Sequence, residues 1–370
     1  MRILVCPDSF KGSLTAFQAA QAIKTGILIK NPDCEIITLP LADGGEGTGE
    51  CLKNISGGEY IGCETENIFF EKMEGCFLSL DSETAFVETA TASGLTTVEE
   101  ERRNPLKAST YGTGLIIKKA VDSSKRHIIL ALGGSATNDG GTGALNALGV
   151  DFLDGNGNAL SPTGENMIKT ADVQLRDDFE KYKDIKFTLA CDVENPFYGK
   201  NGAAYVFAGQ KGADEKDIEF LDRGLENLEK VYEKYSHKTI QSVNGTGAAG
   251  GLCGGIYTFF DCEIKSGFEV LSERANLEKL IESVDLVITG EGKTDFQTSF
   301  GKLPVRISRL ANEKNKRCIL ISGDIEKSLD TRKMGFEKAY RIKNESVSLE
   351  NAMNNAYNLL VETAMQTEVG

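Results

Sequence analysis

Apolar residues fall along this chain in short unbroken runs, each ending at glycine or a small polar residue and followed by helical spacing. The first run is Ile3-Leu4-Val5-Cys6, succeeded by the loop Pro7–Gly12 and a helix from Ser13. In that helix Thr15 and Gln18 are spaced as a capping box, and Ala16, Ala19, Ala20, Ile23 and Ile27 share one face. Ile36–Leu41, Ile128–Leu132, Leu286–Thr289 and Cys318–Ile321 repeat the strand pattern. Strands that are apolar throughout are covered on both faces, and intervening helices make such sheets parallel. The pattern is therefore α/β. Between residues 65 and 110 it changes, and Phe69-Phe70, Phe77–Leu80 and Ala85–Glu88 read as short strands of a meander. Asp151–Gly157 likewise reads as a strand entering a tight turn. A mixed-sheet domain in the middle of the chain, distinct from the βα units at both ends, is the expected organisation. Leu349–Met365 predicts one closing amphipathic helix.

Glycine accounts for 40 of the 370 residues, about 11%, against a usual ~7%. The excess is concentrated after strands, in Asp43–Gly49, Gly133–Gly143 and Gly290–Asp295. Ligands of open α/β sheets bind at the carboxyl ends of strands beside helix N-termini. Glycine there lets the backbone approach a phosphate and offer it consecutive N–H groups. Three such segments, each mixed with carboxylates and hydroxyls, predict an anion site rather than three unrelated turns.

Charge and composition narrow the chemistry. Lysine and arginine total 41 and aspartate and glutamate 55, a net charge of −14, with no basic arm to offset it. This argues against nucleic acid and anionic membranes as partners. No apolar run approaches the ~20 residues that span a bilayer, and Met1–Cys6 is too short for a signal peptide. Nine cysteines without a C-x-x-C spacing fit a reduced, cytoplasmic protein. With only His127 and His237 present, both in unremarkable contexts, histidine-based zinc sites and a Ser-His-Asp hydrolase are disfavoured.

Gly245-Thr246-Gly247-Ala248-Ala249-Gly250 matches G-x-G-x-x-G, the basis for a rival reading as a nicotinamide-dependent dehydrogenase. The preceding Thr239–Val243 is a poor strand, however, and no clear acidic residue ends a second strand ~20 positions on. A Walker A motif is absent, and Asp151–Asn158 lacks the spacing of a calcium loop. Phosphoryl transfer needs cations on the phosphates and a carboxylate to take the acceptor's proton. Candidate carboxylates are Asp8, Asp43, Glu46, Asp139, Asp192, Glu291 and Asp295, and candidate cations are Lys11, Lys211, Lys293 and Lys302.

Taken in order along nearly the whole chain, these segments resemble the glycerate kinase type 1 family. Pro7–Leu14 looks like its first loop and Leu41–Thr48 its second. Arg103–Leu106, Tyr111–Gly114, Gly133–Gly141, Cys191–Val193 with Asn195-Pro196, Gln210–Ala213, Gly245–Gly251 and Gly290–Gly292 follow the family pattern. Lys293 stands where the family usually has arginine, Phe296 replaces a small polar residue, and Ala208-Gly209 replaces Gly-Pro. At Lys293 a bidentate phosphate contact would become a point charge.

The resemblance implies a discontinuous flavodoxin-like parallel-sheet domain from residues 1–66 and 268–370. A restriction-endonuclease-like mixed α/β domain, 67–267, would be inserted in it, with the active site in the cleft between the two. It further implies ATP- and Mg²⁺-dependent phosphorylation of D-glycerate, generally at the 2-hydroxyl, in the cytoplasm, with a homo-oligomer allowed. For such a reaction the catalytic residues expected here are Asp192 first, then Asp8, with Lys11. Ser9, Lys11, Asp43, Ser135 and Asn138 would bind the substrate, and Asp43 and Asp192 the metal. Gly44, Gly45, Glu46, Gly133, Gly134, Lys211, Lys293 and Asp295 would hold ATP.

Overall fold

A computed structural model of the chain describes residues 1–42, 47–342 and 348–370. The chain divides into two compact units, Met1–Ile55 with Phe268–Gly370, and Ser56–Gly267. In chain order the first unit supplies β1 (Arg2–Val5) and β2 (Glu35–Thr38). The second supplies β3 (Glu59–Glu66), β4 (Lys72–Ser79), β5 (Thr84–Glu88), β6 (His127–Ala131), β7 (Val150–Leu153), β8 (Asp172–Leu175), β9 (Lys186–Ala190) and β10 (Asp261–Lys265). The chain then returns to the first unit for β11 (Leu286–Thr294), β12 (Arg317–Ile325) and β13 (Lys338–Arg341).

Among the described residues the first unit holds a parallel sheet in the order β13-β12-β11-β1-β2. Counted within the unit this is the 2-1-3-4-5 order of a flavodoxin-like sheet, whose direction of progression reverses between β1 and β11. Ile3, Val5, Leu286, Ile288, Ile319 and Ile321 bury its centre, as expected for strands with no polar alternation. The helix Ala16–Lys30 begins at Thr15, where both halves of the capping box form. It lies against the helix Ala356–Gln366 so closely that a Cβ on Gly26 would stand 2.3 Å from the Val361 carbonyl oxygen.

The second unit's main sheet runs β10-β9-β6-β5-β4-β3, parallel from β10 to β5 and antiparallel from β5 to β3. β7 and β8 pair separately as an antiparallel ladder. The meander differs from expectation in one member. Phe69-Phe70 is the turn and not a strand, because the Asn67 side-chain carbonyl accepts the N–H groups of Phe69 (2.9 Å) and Glu71 (3.1 Å). Phe70 adopts φ 63° there. The missing strand is the charged Glu59–Glu66, which lies at the sheet edge and buries Cys63 and Thr65 in alternation. Its pairing with β4 joins it to the second unit, so the division falls at Ile55/Ser56, upstream of the 66/67 boundary drawn from sequence.

Two other elements differ. The closing segment is two helices, Leu349–Asn354 and Ala356–Gln366, interrupted at Asn355, whose φ −112° and ψ 19° leave the helical region. β11 does not end in a glycine turn but continues through Gly290-Glu291-Gly292 to Thr294, in register with Ile321–Ile325. Glycine is required there by crowding. A Cβ on Gly290 would lie 2.1 Å from the Ile321 carbonyl oxygen, and one on Gly323 an equal 2.1 Å from that of Gly292.

Candidate active site

In the first unit a cavity of about 550 Å³ opens at the carboxyl ends of β1, β11 and β12, at the reversal of strand order. The loop after β1 is held there by its own backbone. Cys6 N–H donates to the Ile288 carbonyl and Asp8 N–H to that of Gly290, both at 2.8 Å, extending the ladder past the last strand residue. Buried Phe10 anchors the loop, and its backbone passes so near β11 that a Cβ on Gly292 would sit 3.2 Å from the Phe10 Cα. This delivers Asp8, Ser9 and Lys11 to the cavity, facing Glu291, Lys293 and Asp295 from β11 and its end.

The cavity's carboxylates are strained electrostatically. Asp8 Oδ1 accepts the Ser9 N–H at 2.6 Å, yet burial outweighs that bond and the Lys11 charge and raises its pKa. Glu291, 6% exposed, accepts the Thr294 and Thr298 hydroxyls on Oε1, each at 2.9 Å. Burial nevertheless pushes its carboxyl up to about 7, with the Asp8 charge adding to the rise and Lys302 opposing it. Asp295 caps the short turn Phe296–Phe300 by accepting Gln297 N–H at 3.0 Å. Its two oxygens also stand 3.7 Å from Lys293 Nζ and 3.8 Å from Lys302 Nζ. These separations are loose for ion pairs, so both ammonium groups can turn to a stronger anion.

In the second unit the glycine-rich loop after β6 is organised by Asp139. This fully buried carboxylate accepts Thr110 N–H (2.7 Å), the Thr110 hydroxyl (2.8 Å), Gly141 N–H (3.0 Å) and Gly143 N–H (3.1 Å). Gly134, Gly140 and Gly141 take φ of 70°, 64° and 84°, which glycine adopts without strain. Lys211, only 1% exposed, donates to the Ser135 hydroxyl (3.0 Å) and the Thr137 carbonyl (2.7 Å). Burial pushes its ammonium down to about 7, against the pull of Asp139. Neither amide atom of fully buried Asn138 is hydrogen-bonded within the protein, nor is the Thr137 hydroxyl. Asp192 is exposed just beyond β9 and accepts Gly267 N–H at 3.0 Å.

Of the residues expected from sequence, the structure gathers Asp8, Ser9, Lys11, Lys293 and Asp295 in one cavity. It bonds Ser135 to Lys211, with Gly133, Gly134 and Asn138 on the same loop as Ser135. Asp43, Gly44, Gly45 and Glu46 lie outside the described residues. Glu291 and Lys302, candidates without an assigned role, line the cavity. Asp324 was missed, although Ser322-Gly323-Asp324 follows an apolar strand much as Asp8 does. Gly245–Gly250 forms no dinucleotide turn. A Cβ on Gly247 would lie 2.2 Å from the Pro196 carbonyl oxygen and one on Gly250 2.1 Å from that of Thr137, so these glycines serve close backbone packing. Among the described residues no group of three or more His, Cys, Asp or Glu could hold a metal ion, and no helix is long and apolar enough to cross a membrane.

A parallel sheet with a cavity of carboxylates and lysines at its reversal point defines an α/β protein with a charged pocket at the carboxyl ends of its strands. Comparison with known proteins makes this specific. The model of the glycerate kinase family matches residues 3–368. Glycerate 2-kinase of Escherichia coli (strain K12) is 38% identical over 359 residues, covering 96% of this chain and 94% of that one. Glycerate kinase of Haemophilus influenzae is 37% identical over 366 residues, covering 98% and 97%. A crystal structure from Salmonella typhimurium LT2, provisionally named glycerate kinase 2, superposes with a TM-score of 0.89 at 36% identity over 99% of this chain and 96% of that one. The chain belongs to the glycerate kinase family, and as a member it is an enzyme, a kinase.

Proposed function

We propose that this chain transfers the γ-phosphoryl group of ATP to the 2-hydroxyl of D-glycerate, giving 2-phosphoglycerate. The observation that carries the reading is the cavity at the β1/β11 reversal, where Asp8 and Glu291 stand with Lys11, Lys293 and Lys302 in a family member. The 2-hydroxyl is favoured by the relative named glycerate 2-kinase. Phosphoryl transfer asks a protein mainly for positioning and charge stabilisation, and the residues divide accordingly. Lys293 and Lys302, held only loosely by Asp295, meet phosphate oxygens. Lys11 and Ser9 bind the glycerate carboxylate and hydroxyls. Ser135, fixed by Lys211, and the unsatisfied Asn138 amide contribute further polar contacts. The nine free thiols suit a reducing, cytoplasmic setting.

Mg²⁺ takes one or two carboxylates and keeps waters and phosphates as its other ligands. The exposed, single carboxylate Asp192 fits that donor set, with Asp43 as the second ligand. Held there, Mg²⁺ would supply positive charge to offset that of the phosphates. Asp192 takes the proton of the attacking hydroxyl. A second reading gives that proton to Asp8, because burial raises its pKa and a base works best with a pKa near the working pH. Steady-state rates of D-glycerate-dependent ADP release separate the two. Asp8→Asn loses about 10²–10⁴ in kcat where Asp8 is the base and little where Asp192 is, whereas Asp192→Asn, which also removes a metal ligand, is slowed under either reading. Near-normal kcat in both removes the general-base step.

A further inference from the structure

The cavity in the first unit has two chemically different linings. Charged and polar groups come from the ends of β1, β11 and β12, while the lining supplied by the chain after β13 is wholly apolar: Ile342, then Leu349, Ala352, Met353 and Ala356 from the closing helices. Ile342, Ala352 and Ala356 are buried, whereas Leu349 remains 62% exposed at the rim. Met353 reaches back onto the first loop, its Cε 2.8 Å from where a Gly12 Cβ would be, so the wall rests directly on the segment carrying Asp8 and Lys11. A three-carbon hydroxy acid has no group that suits such a wall. At about 550 Å³ the cavity has room for roughly 18 waters at ~30 Å³ each, several times what that acid displaces.

We propose that this wall seats the purine base of the phosphoryl donor, so that the first unit's cavity binds the nucleotide, base against Ile342, Leu349, Ala352 and Met353 and phosphates toward Lys293 and Lys302. The inference rests on the kinase reading for its choice of a nucleotide. A flat apolar ring joined to a polyanion matches a cavity that combines an apolar lining with Lys11, Lys293 and Lys302, set among the carboxylates of Asp8, Glu291, Asp295 and Asp324. Leu349, exposed without a ligand, is then covered by the base.

The chain contains no tryptophan, so Leu349→Trp places a single reporter at the rim on an exposed position. Its emission is expected to change saturably with adenosine and with ATP, and ATP should displace adenosine. Inorganic tripolyphosphate alone should leave the emission unchanged. Met353→Asp puts a charge on the wall; it should weaken ATP binding by calorimetry at least about tenfold while KM for D-glycerate stays constant. An indifferent reporter, or a Met353→Asp enzyme with ordinary ATP affinity and a raised KM for D-glycerate, overturns the inference. The two readings fail separately: adenosine and ATP binding at the wall without glycerate turnover sinks the kinase reading and keeps the base site. Full turnover with a wall insensitive to nucleotide does the reverse.

Discussion

Glu291 should make the first unit lose stability as pH rises through neutrality. Its side chain is 6% exposed, and burial raises its pKa from 4.5 to about 7. Between those values the folded chain binds a proton that the unfolded chain has released. The stabilisation is therefore fully present below about 4.5 and is lost as pH climbs through about 7. A rise of roughly 2.5 pH units at about 1.36 kcal/mol each gives about 3 kcal/mol. Glu291→Gln keeps the shape and a carbonyl oxygen to accept the Thr294 and Thr298 hydroxyls, but it does not titrate. Urea unfolding of both proteins at pH 5 and pH 8 measures the difference. The native enzyme should lose up to about 3 kcal/mol more than the variant over that interval. Parallel pH dependences would refute the argument, since Asp8 and every other titrating group is common to both proteins.

Other substitutions test the second unit. Gly250→Ala meets both a φ of 67° and a Cβ 2.1 Å from the Thr137 carbonyl oxygen; it should destabilise by about 2–4 kcal/mol, read as a lowered Tm. Asp139→Ala leaves four donors to a buried carboxylate unsatisfied and should cost about 3–5 kcal/mol in urea unfolding. Lys211→Met removes a buried ammonium whose pKa burial lowers to about 7. The native chain should gain stability as pH rises from about 7 toward 10, because the unfolded lysine holds its proton longer, and the variant should lack that gain. If Lys211 serves the reaction through Ser135, the same variant folds yet raises KM for D-glycerate.

The reach of sequence reasoning followed the range of the interactions. The apolar runs of β1, β6, β11 and β12 and the capping box at Thr15 are local signals, and each formed as read. β3 escaped because an edge strand needs only two buried positions, and its glutamates mask the alternation. Gly290-Glu291-Gly292 reads as a turn in isolation. Only the neighbouring Ile321 carbonyl and the Phe10 loop explain why glycine is needed within a continuing strand. Asp8, Lys11, Lys293 and Asp295, singled out by their places near the ends of apolar runs, all line one cavity. Their convergence with Glu291, Lys302 and Asp324, and the apolar wall from the closing helices, depend on the β1/β11 reversal that no local window contains.

The most direct measurement is ³¹P NMR of the product formed from D-glycerate, ATP and Mg²⁺. The account predicts ADP together with a phosphomonoester whose coupling to a single proton marks it as 2-phosphoglycerate. A phosphorus coupled to two protons, as in 3-phosphoglycerate, or ATP left intact in the presence of D-glycerate, would contradict it.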